Sequence, residues 1–148
     1  VKWRDIAASK IVFCTGHHVA THPLFDQHRY RLAKGEVLTG LSDDLHTNQI
    51  FKEWVVPMDD GTFRLGATYE WDDLSVQCSA EGHDQLMGVA NTFGVADRII
   101  QQDAGVRCII SGNLPIHYWH PTYPQVGVFS ALGSKGLLQA PFLSESML

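Results

Sequence analysis

No cluster of lysine and arginine occurs in these 148 residues, and the formal net charge is −5. That leaves no electrostatic footprint for nucleic acid. No apolar run approaches the ~20 residues needed to span a membrane, and nothing at the start reads as a signal peptide. Cysteine is scarce: Cys14, Cys78 and Cys108 are far apart and form no CxxC pair. They read as reduced thiols of a cytoplasmic protein. The signatures GxSxG, Walker A, EF-hand, zinc ribbon and HExxH are absent, which removes the enzyme and metal classes they mark. His18 and His22, and His117 and His120, have spacings that fit metal ligands on a helix. Pro23 and Pro121 follow at once, so these read as loop histidines and no metal is expected.

What is present is a globular composition, 45% apolar and 18% charged, at a length that suits one domain with a real core. "KIVFCTG" is a short β-branched and aromatic run closed by Gly16, a buried strand. Residues 17–35 read as loop, and "GEVLTGL" as a strand. The clearest local unit is "QIFKEWVVPMDDGTFRLGATYEWDD", two strands around Asp59-Asp60-Gly61. Strict alternation puts Phe63, Leu65, Ala67 and Tyr69 on one face. From Ser79 the period changes. Leu86, Val89, Ala90 and Phe93 follow helical spacing with Ser79 as N-cap, while Gly82, Gly88 and Gly94 weaken the helix. "RIIQQDAGVRCIISG", "LPIHYW" and "QVGVFSAL" are strands. "GSKGLLQAPFLSESML" is a turn and helix in which Pro141 predicts a stop or restart.

The fold class expected is α+β, a mainly antiparallel sheet with one main helix. The first and last strands differ from the rest. Each is short, apolar and followed by a glycine turn, as in a parallel sheet, and they are expected in another layer. The chain lacks an initial methionine, completes a strand by Cys14 and ends in an uncapped helix. Both ends are expected to continue in a longer chain.

Three features carry possible chemistry. The turn Gly133-Ser134-Lys135-Gly136 between strand and helix suits an anion or a cofactor's polar edge, or is a plain connection. Arg107, among apolar neighbours, needs a partner: a substrate carboxylate or an internal acid. Trp54 and Tyr69, on the two strands of one hairpin, line a pocket wall or pack in the core.

Taken in order, "KIVFCTG", "LAKGEVL", "WVVPMDDGTFRLGATYE", "AGVR" with Pro115 beyond it, and "LGSKGLLQAP" resemble the FAD-dependent amine and amino-acid oxidase family. That family includes D-amino acid oxidase, glycine oxidase and the oxidase half of the tRNA wobble-uridine modifying enzyme. The resemblance implies a discontinuous FAD-binding domain whose GxGxxG region precedes this sequence. Residues 1–32 would be its later part, 33–116 the substrate domain and 117–148 the return to the FAD domain. It implies FAD as cofactor, contacted by Thr15, Gly16, Gly133, Ser134, Lys135, Gly136 and Leu137. Arg107 would clamp the substrate carboxylate, with Trp54 and Tyr69 as pocket walls. No protein base is required, so no catalytic side chain is assigned.

The implied reaction is oxidation of a C–N bond of an amine or amino acid: hydride to flavin, imine hydrolysis, reoxidation by O2. The expected partners are that small substrate and the missing N-terminal part of the chain's own FAD domain, with no nucleic acid and no membrane. By itself the 148-residue chain is expected to be inactive. Three positions depart from the family pattern. Cys108 stands where proline is common, Gly112-Asn113-Leu114 replaces an Asp-containing turn, and Tyr118 replaces a glycine. The alternative reading is a non-catalytic binding module of the same fold, with Tyr118 and Gly112 blocking the cofactor.

Overall fold

The computed structural model describes residues 2–42, 45–50, 52–112 and 114–147. Val1, Phe51, Asn113 and Leu148, which fall in stretches quoted above, lie outside the described residues. In chain order the elements are β1 (Lys2–Trp3), β2 (Ile6–Ala7), β3 (Ile11–Phe13), β4 (Tyr30–Leu41), β5 (Gln49–Ile50), β6 (Trp54–Pro57), β7 (Thr62–Gly66), α1 (Ala80–Thr92), β8 (Ile99–Ile110), β9 (Ile116–Trp119), β10 (Val126–Ser130) and α2 (Gly136–Glu145). The chain forms two compact units, Val1–Leu32 with Arg107–Leu148, and Ala33–Val106. It passes between them within β4 and β8. Cys108, Ile110 and Ile116 pack with Val128 in the first unit's core, which is why that unit resumes at Arg107.

The Ala33–Val106 unit is built on the sheet ordered β5-β6-β7-β4-β8. The expected hairpin forms β6 and β7. Asp60 closes its turn by accepting from Thr62 N at 3.0 Å and Thr62 Oγ1 at 2.6 Å. Val55, Leu65 and Leu38 are directly opposite one another across three strands, and all are fully buried. Leu86 and Ala90, one helical turn apart on α1, cover that row. Burying each leucine or phenylalanine there contributes about 1.5–3 kcal/mol. Ser79 caps α1, its Oγ accepting from Gly82 N at 3.0 Å. Gly94 and Val95 close it through bonds to Asn91 and Ala90.

One departure from strict alternation matters for the site. Val37 of β4 faces Gly66, yet Lys34 faces Glu70. Three steps on β4 therefore oppose four on the other chain segment, which is a β-bulge. Thr68 fills it: its amide donates to Glu36 O at 3.2 Å, and its Oγ1 accepts from Glu36 N at 2.9 Å. The extra residue breaks the face assignment. Phe63 and Leu65 are buried, but Tyr69 is 55% exposed and does not share their face.

The other unit contains the hairpin β1–β2 and a sheet ordered β3-β10-β9. β3 and β10 are parallel, with Val126 opposite Ile11 and Val128 opposite Phe13. They stand apart from the hairpin sheet, as their sequences predict. On one face Phe13, Val128 and Tyr118 pack with Val19 and Phe25. Residues 17–35 are more ordered than a loop. A 3-10 helix covers Gly16–Thr21 and β4 already begins at Tyr30. The reason is burial: Val19, Phe25, Tyr30 and Leu32 are interspersed among polar residues, and all join that core. On the opposite face, Val12 and Phe129 line an apolar groove with Ala140, Pro141 and Met147. α2 neither stops nor restarts at Pro141 but runs through it. The missing N–H of Pro141 frees the carbonyl of Leu137, a residue 96% exposed, so this carbonyl is not sealed away from solvent.

Candidate functional site

The parallel pairing of β3 and β10 decides where the glycine turns lie. Neighbouring parallel strands end at the same sheet edge, and in α/β sheets ligands bind outside the carboxyl ends of strands. β3 is followed by Cys14, Thr15 and Gly16, and β10 by Ala131, Leu132 and Gly133. Gly16 and Gly133 have φ of +58° and +59°, which favours glycine at both turns. Ser130 Oγ donates to Gly16 O at 2.9 Å and ties the two turns together.

A 3-10 turn over Gly133–Lys135 then leads into α2, and Lys135 gives that helix no side-chain cap. No side chain therefore takes up the first amides of α2, which lie at the positive end of the helix dipole. An added Cβ at Gly133 would lie 3.0 Å from Ile109 Cγ2, so the turn rests closely on β8.

That contact also locates Arg107. Residues two apart on a strand share a face, so Arg107 and Ile109 point to the same side of β8, the side on which Gly133 sits. Arg107 is half-buried, and the neighbouring Cys108 turns the other way into the core. Within this unit the structure brings together Thr15, Gly16, Gly133, the start of α2 and the Arg107 face of β8. Ser134, Lys135 and Leu137 are exposed and Gly136 is half-buried.

Trp54 and Tyr69 belong to the other unit. Trp54 is opposite Gly66 on β7, and its indole covers the space where a side chain would stand, 2.9 Å from an ideal Cβ. Val37 closes in from the far side at the same distance. This row lies on the face of the sheet away from α1, so Trp54 is no member of the α1 core. Tyr69 stacks on Trp71, with ring centroids 6.3 Å apart and planes 29° apart.

Cys108 and Tyr118, two of the departing residues, are absorbed into the local core. Burial pushes the Cys108 thiol up to about 11. Gly112 sits at φ +88°, and Asn113 is outside the described residues. Tyr118 packs in the Phe25 cluster, with its hydroxyl accepting from Gln27 Nε2 at 2.6 Å and 3.1 Å from His28. The histidine pairs are engaged locally too. His22 Nδ1 accepts from the Leu24 amide, and His120 Nδ1 from the Thr122 and Tyr123 amides.

Sequence reasoning missed two features. Ser130 had no signal beyond its place at a strand end. The group of buried Lys34 and Glu36 with half-buried Ser79 and Gln102 was also missed, although two charges inside the strand-like "LAKGEVL" were a visible anomaly. Lys34 Nζ is 2.7 Å from Asp73 and 3.5 Å from Glu36. Glu36 accepts from Ser79 Oγ at 2.7 Å and from Gln102 Nε2. Burial raises the Glu36 carboxyl, but the bonds from Ser79 and Gln102 and the Lys34 charge outweigh it, and the net shift is downward.

The residues at the two turns fit a flavin. Its pyrimidine edge carries hydrogen-bond acceptors and takes up negative charge on reduction, and the uncapped start and dipole of α2 suit both. The profile of the FAD dependent oxidoreductase family matches residues 2–147. A tRNA 5-methylaminomethyl-2-thiouridine biosynthesis bifunctional protein from Marinobacter nauticus is 27% identical, over 96% of this chain and 26% of the relative. Among solved structures, glycine oxidase from Geobacillus kaustophilus superposes with a TM-score of 0.80 at 21% identity, covering 94% of this chain and 40% of that one. Iminodiacetate oxidase from a Chelativorans species superposes with a TM-score of 0.75 at 21% identity, covering 95% and 41%. The chain thus spans about a quarter of the curated relative and two-fifths of the solved ones. With the profile matched along nearly its whole length, the chain belongs to the FAD-dependent oxidoreductase family, whose cofactor is FAD.

Proposed function

We propose that the full-length protein oxidises a C–N bond of a small amine or amino acid. The observation that carries this reading is the pair of glycine turns tied by Ser130 at the carboxyl edge of β3 and β10, with Arg107 on the strand face against which Gly133 rests. Thr15, Gly16 and the segment Gly133–Leu137 hold the polar edge of the flavin. Arg107 clamps the substrate carboxylate with its guanidinium fork, which orients the amine-bearing carbon. Trp54 and Tyr69 form the substrate wall. FAD, when bound, supplies the two-electron acceptor, and O2 restores it with release of H2O2. The substrate loses a hydride and a proton, and water converts the resulting imine to a carbonyl compound and ammonia or a smaller amine.

The remainder of the cofactor-binding domain is assigned to sequence beyond these 148 residues, in keeping with the share of its relatives that the chain spans. The surface it would cover is the apolar side of α2, where Leu138 is 82% and Phe142 77% exposed. The isolated chain is accordingly inactive. Three free thiols, two of them exposed, support a reducing compartment such as the cytoplasm. The test is oxygen consumption by the full-length protein with glycine, N-methylglycine and D-alanine. Uptake matched by equimolar H2O2 and carbonyl product supports the proposal. No uptake with any of the three, from protein that holds flavin, overturns this substrate class.

A further inference from the structure

Tyr69 is displayed by a device that extends well beyond its own side chain. It is the exposed residue of the bulge, between two residues whose backbones are fixed. On one side Thr68 is locked to Glu36 through its amide and its hydroxyl. On the other, Glu70 exchanges both backbone hydrogen bonds with Lys34, at 2.8 and 2.9 Å. Bulges of this kind re-aim a side chain at the cost of local pairing. Beyond Glu70 the chain runs without helix or strand as far as Ser79. Glu70 Oε1 turns back to accept from the amides of Trp71 and Asp72. Asp73 then reaches inward, and Lys34 Nζ meets it at 2.7 Å.

Lys34 is 1% exposed. A lysine in that position is costly unless its charge is met. Glu36 meets it partly at 3.5 Å, but the carboxylate of Glu36 is already committed to Ser79 at the start of α1 and to Gln102 on β8. The shorter, hydrogen-bonded contact goes to Asp73, whose side chain is half-exposed. A buried cation therefore grips the irregular segment from inside, three residues past the bulge's closing pair.

We propose that Lys34 is a positioning residue: its ion pair with Asp73 holds segment 67–73 in the path that projects Tyr69 and its stacking partner Trp71 from the sheet, ready to meet substrate. This rests on the reading of Tyr69 as a substrate wall and names the group that poses it. Lys34 lines the same cavity as Tyr69 but its ammonium is taken up by Asp73 and Glu36, so on this proposal its effect passes through Tyr69.

The test uses the full-length flavoprotein, with kcat and KM measured for glycine, N-methylglycine and D-alanine. The variants are Lys34→Met, Lys34→Arg, Asp73→Asn, Tyr69→Ala and the double variant Lys34→Met/Tyr69→Ala. The expected result is a KM increase of roughly tenfold for Lys34→Met and for Asp73→Asn, with kcat within about twofold and the flavin spectrum unchanged. Lys34→Arg restores most of the affinity. In the Tyr69→Ala background Lys34→Met has no further effect, because the two changes act on one contact. Should Lys34→Met not fold, Asp73→Asn, altered on the half-exposed side of the pair, carries the same comparison. If Tyr69→Ala raises KM while Lys34→Met and Asp73→Asn do not, or if the double variant is additive, positioning is overturned and the Tyr69 reading stands. If Tyr69→Ala leaves KM unchanged, it is the Tyr69 reading that fails and the positioning proposal with it; if none of the three probes is oxidised, it is the amine-oxidation reading that fails.

Discussion

Ser130 Oγ donates a hydrogen bond to the carbonyl oxygen of Gly16, 2.9 Å away and 114 residues earlier in the chain. One residue ends β10 and the other lies in the turn after β3, so this bond fixes the two glycine turns as a single edge. Ser130 is buried, which keeps the bond from competing with water. Ser130→Ala removes the donor and leaves the Gly16 carbonyl without it. A bond of this kind contributes about 1 kcal/mol, so FAD should dissociate roughly fivefold more readily with the fold intact. Equilibrium dialysis of flavin against the full-length variant checks this.

On the proposed reading Arg107 serves the substrate and not the cofactor. Arg107→Ala should raise KM for a carboxylate-bearing amine on the order of 100-fold, as expected for losing a charge-assisted bidentate pair. Flavin content should stay at the wild-type level. Arg107→Lys should recover only part of the loss, since an ammonium cannot reproduce the fork. Steady-state kinetics beside a flavin absorbance ratio separate the two roles.

Gly82 lies in the first turn of α1, where alanine would ordinarily add about 1 kcal/mol of helix stability. Here the sign should reverse. An ideal Cβ at Gly82 would stand 2.7 Å from the Glu36 carboxylate, which is itself held by Ser79 and Gln102 and has nowhere to retreat. Overpacking of this type costs about 1–3 kcal/mol. Urea unfolding should show Gly82→Ala less stable than wild type, and Gly88→Ala, which meets nothing within 4 Å, unchanged or more stable.

The three thiols should separate by reactivity. Cys14 and Cys78 are exposed, while Cys108 is buried and burial pushes its thiol from 9.0 up to about 11. A thiol reagent at mild alkaline pH should modify two groups quickly and the third only on unfolding. The same shift sets a pH dependence. Between pH 9 and 11 the folded state keeps the Cys108 proton and the unfolded state loses it, so stability falls as pH rises through that window. The melting temperature should drop across it, and Cys108→Ala should flatten the slope.

The local units are legible in the sequence because their signals are local. Asp59-Asp60-Gly61 marks a turn by its own chemistry, and Ser79 with Leu86 and Ala90 marks a capped amphipathic helix. The parallel relationship of β3 and β10 is legible from two apolar runs that each end in a glycine. The bulge is not. Alternation from Phe63 onward predicts Tyr69 on the core face, and the extra residue that cancels this is set by Thr68 bonding to Glu36 on a strand 32 residues away. The 3-10 helix after Gly16 and the early start of β4 are hidden likewise, because their apolar residues are spaced by tertiary packing and not by a regular period. Lys34 and Glu36 inside a strand are visible as an anomaly, but their partners Asp73, Ser79 and Gln102 are known only from the fold.

Amine oxidation by a bound flavin is tested most directly by the visible absorption spectrum of the full-length protein, recorded before and after anaerobic addition of an amine substrate. Flavin bands should bleach on addition and return when O2 is admitted. A protein that stays colourless after incubation with excess FAD, or whose flavin is untouched by glycine, N-methylglycine and D-alanine alike, would overturn it.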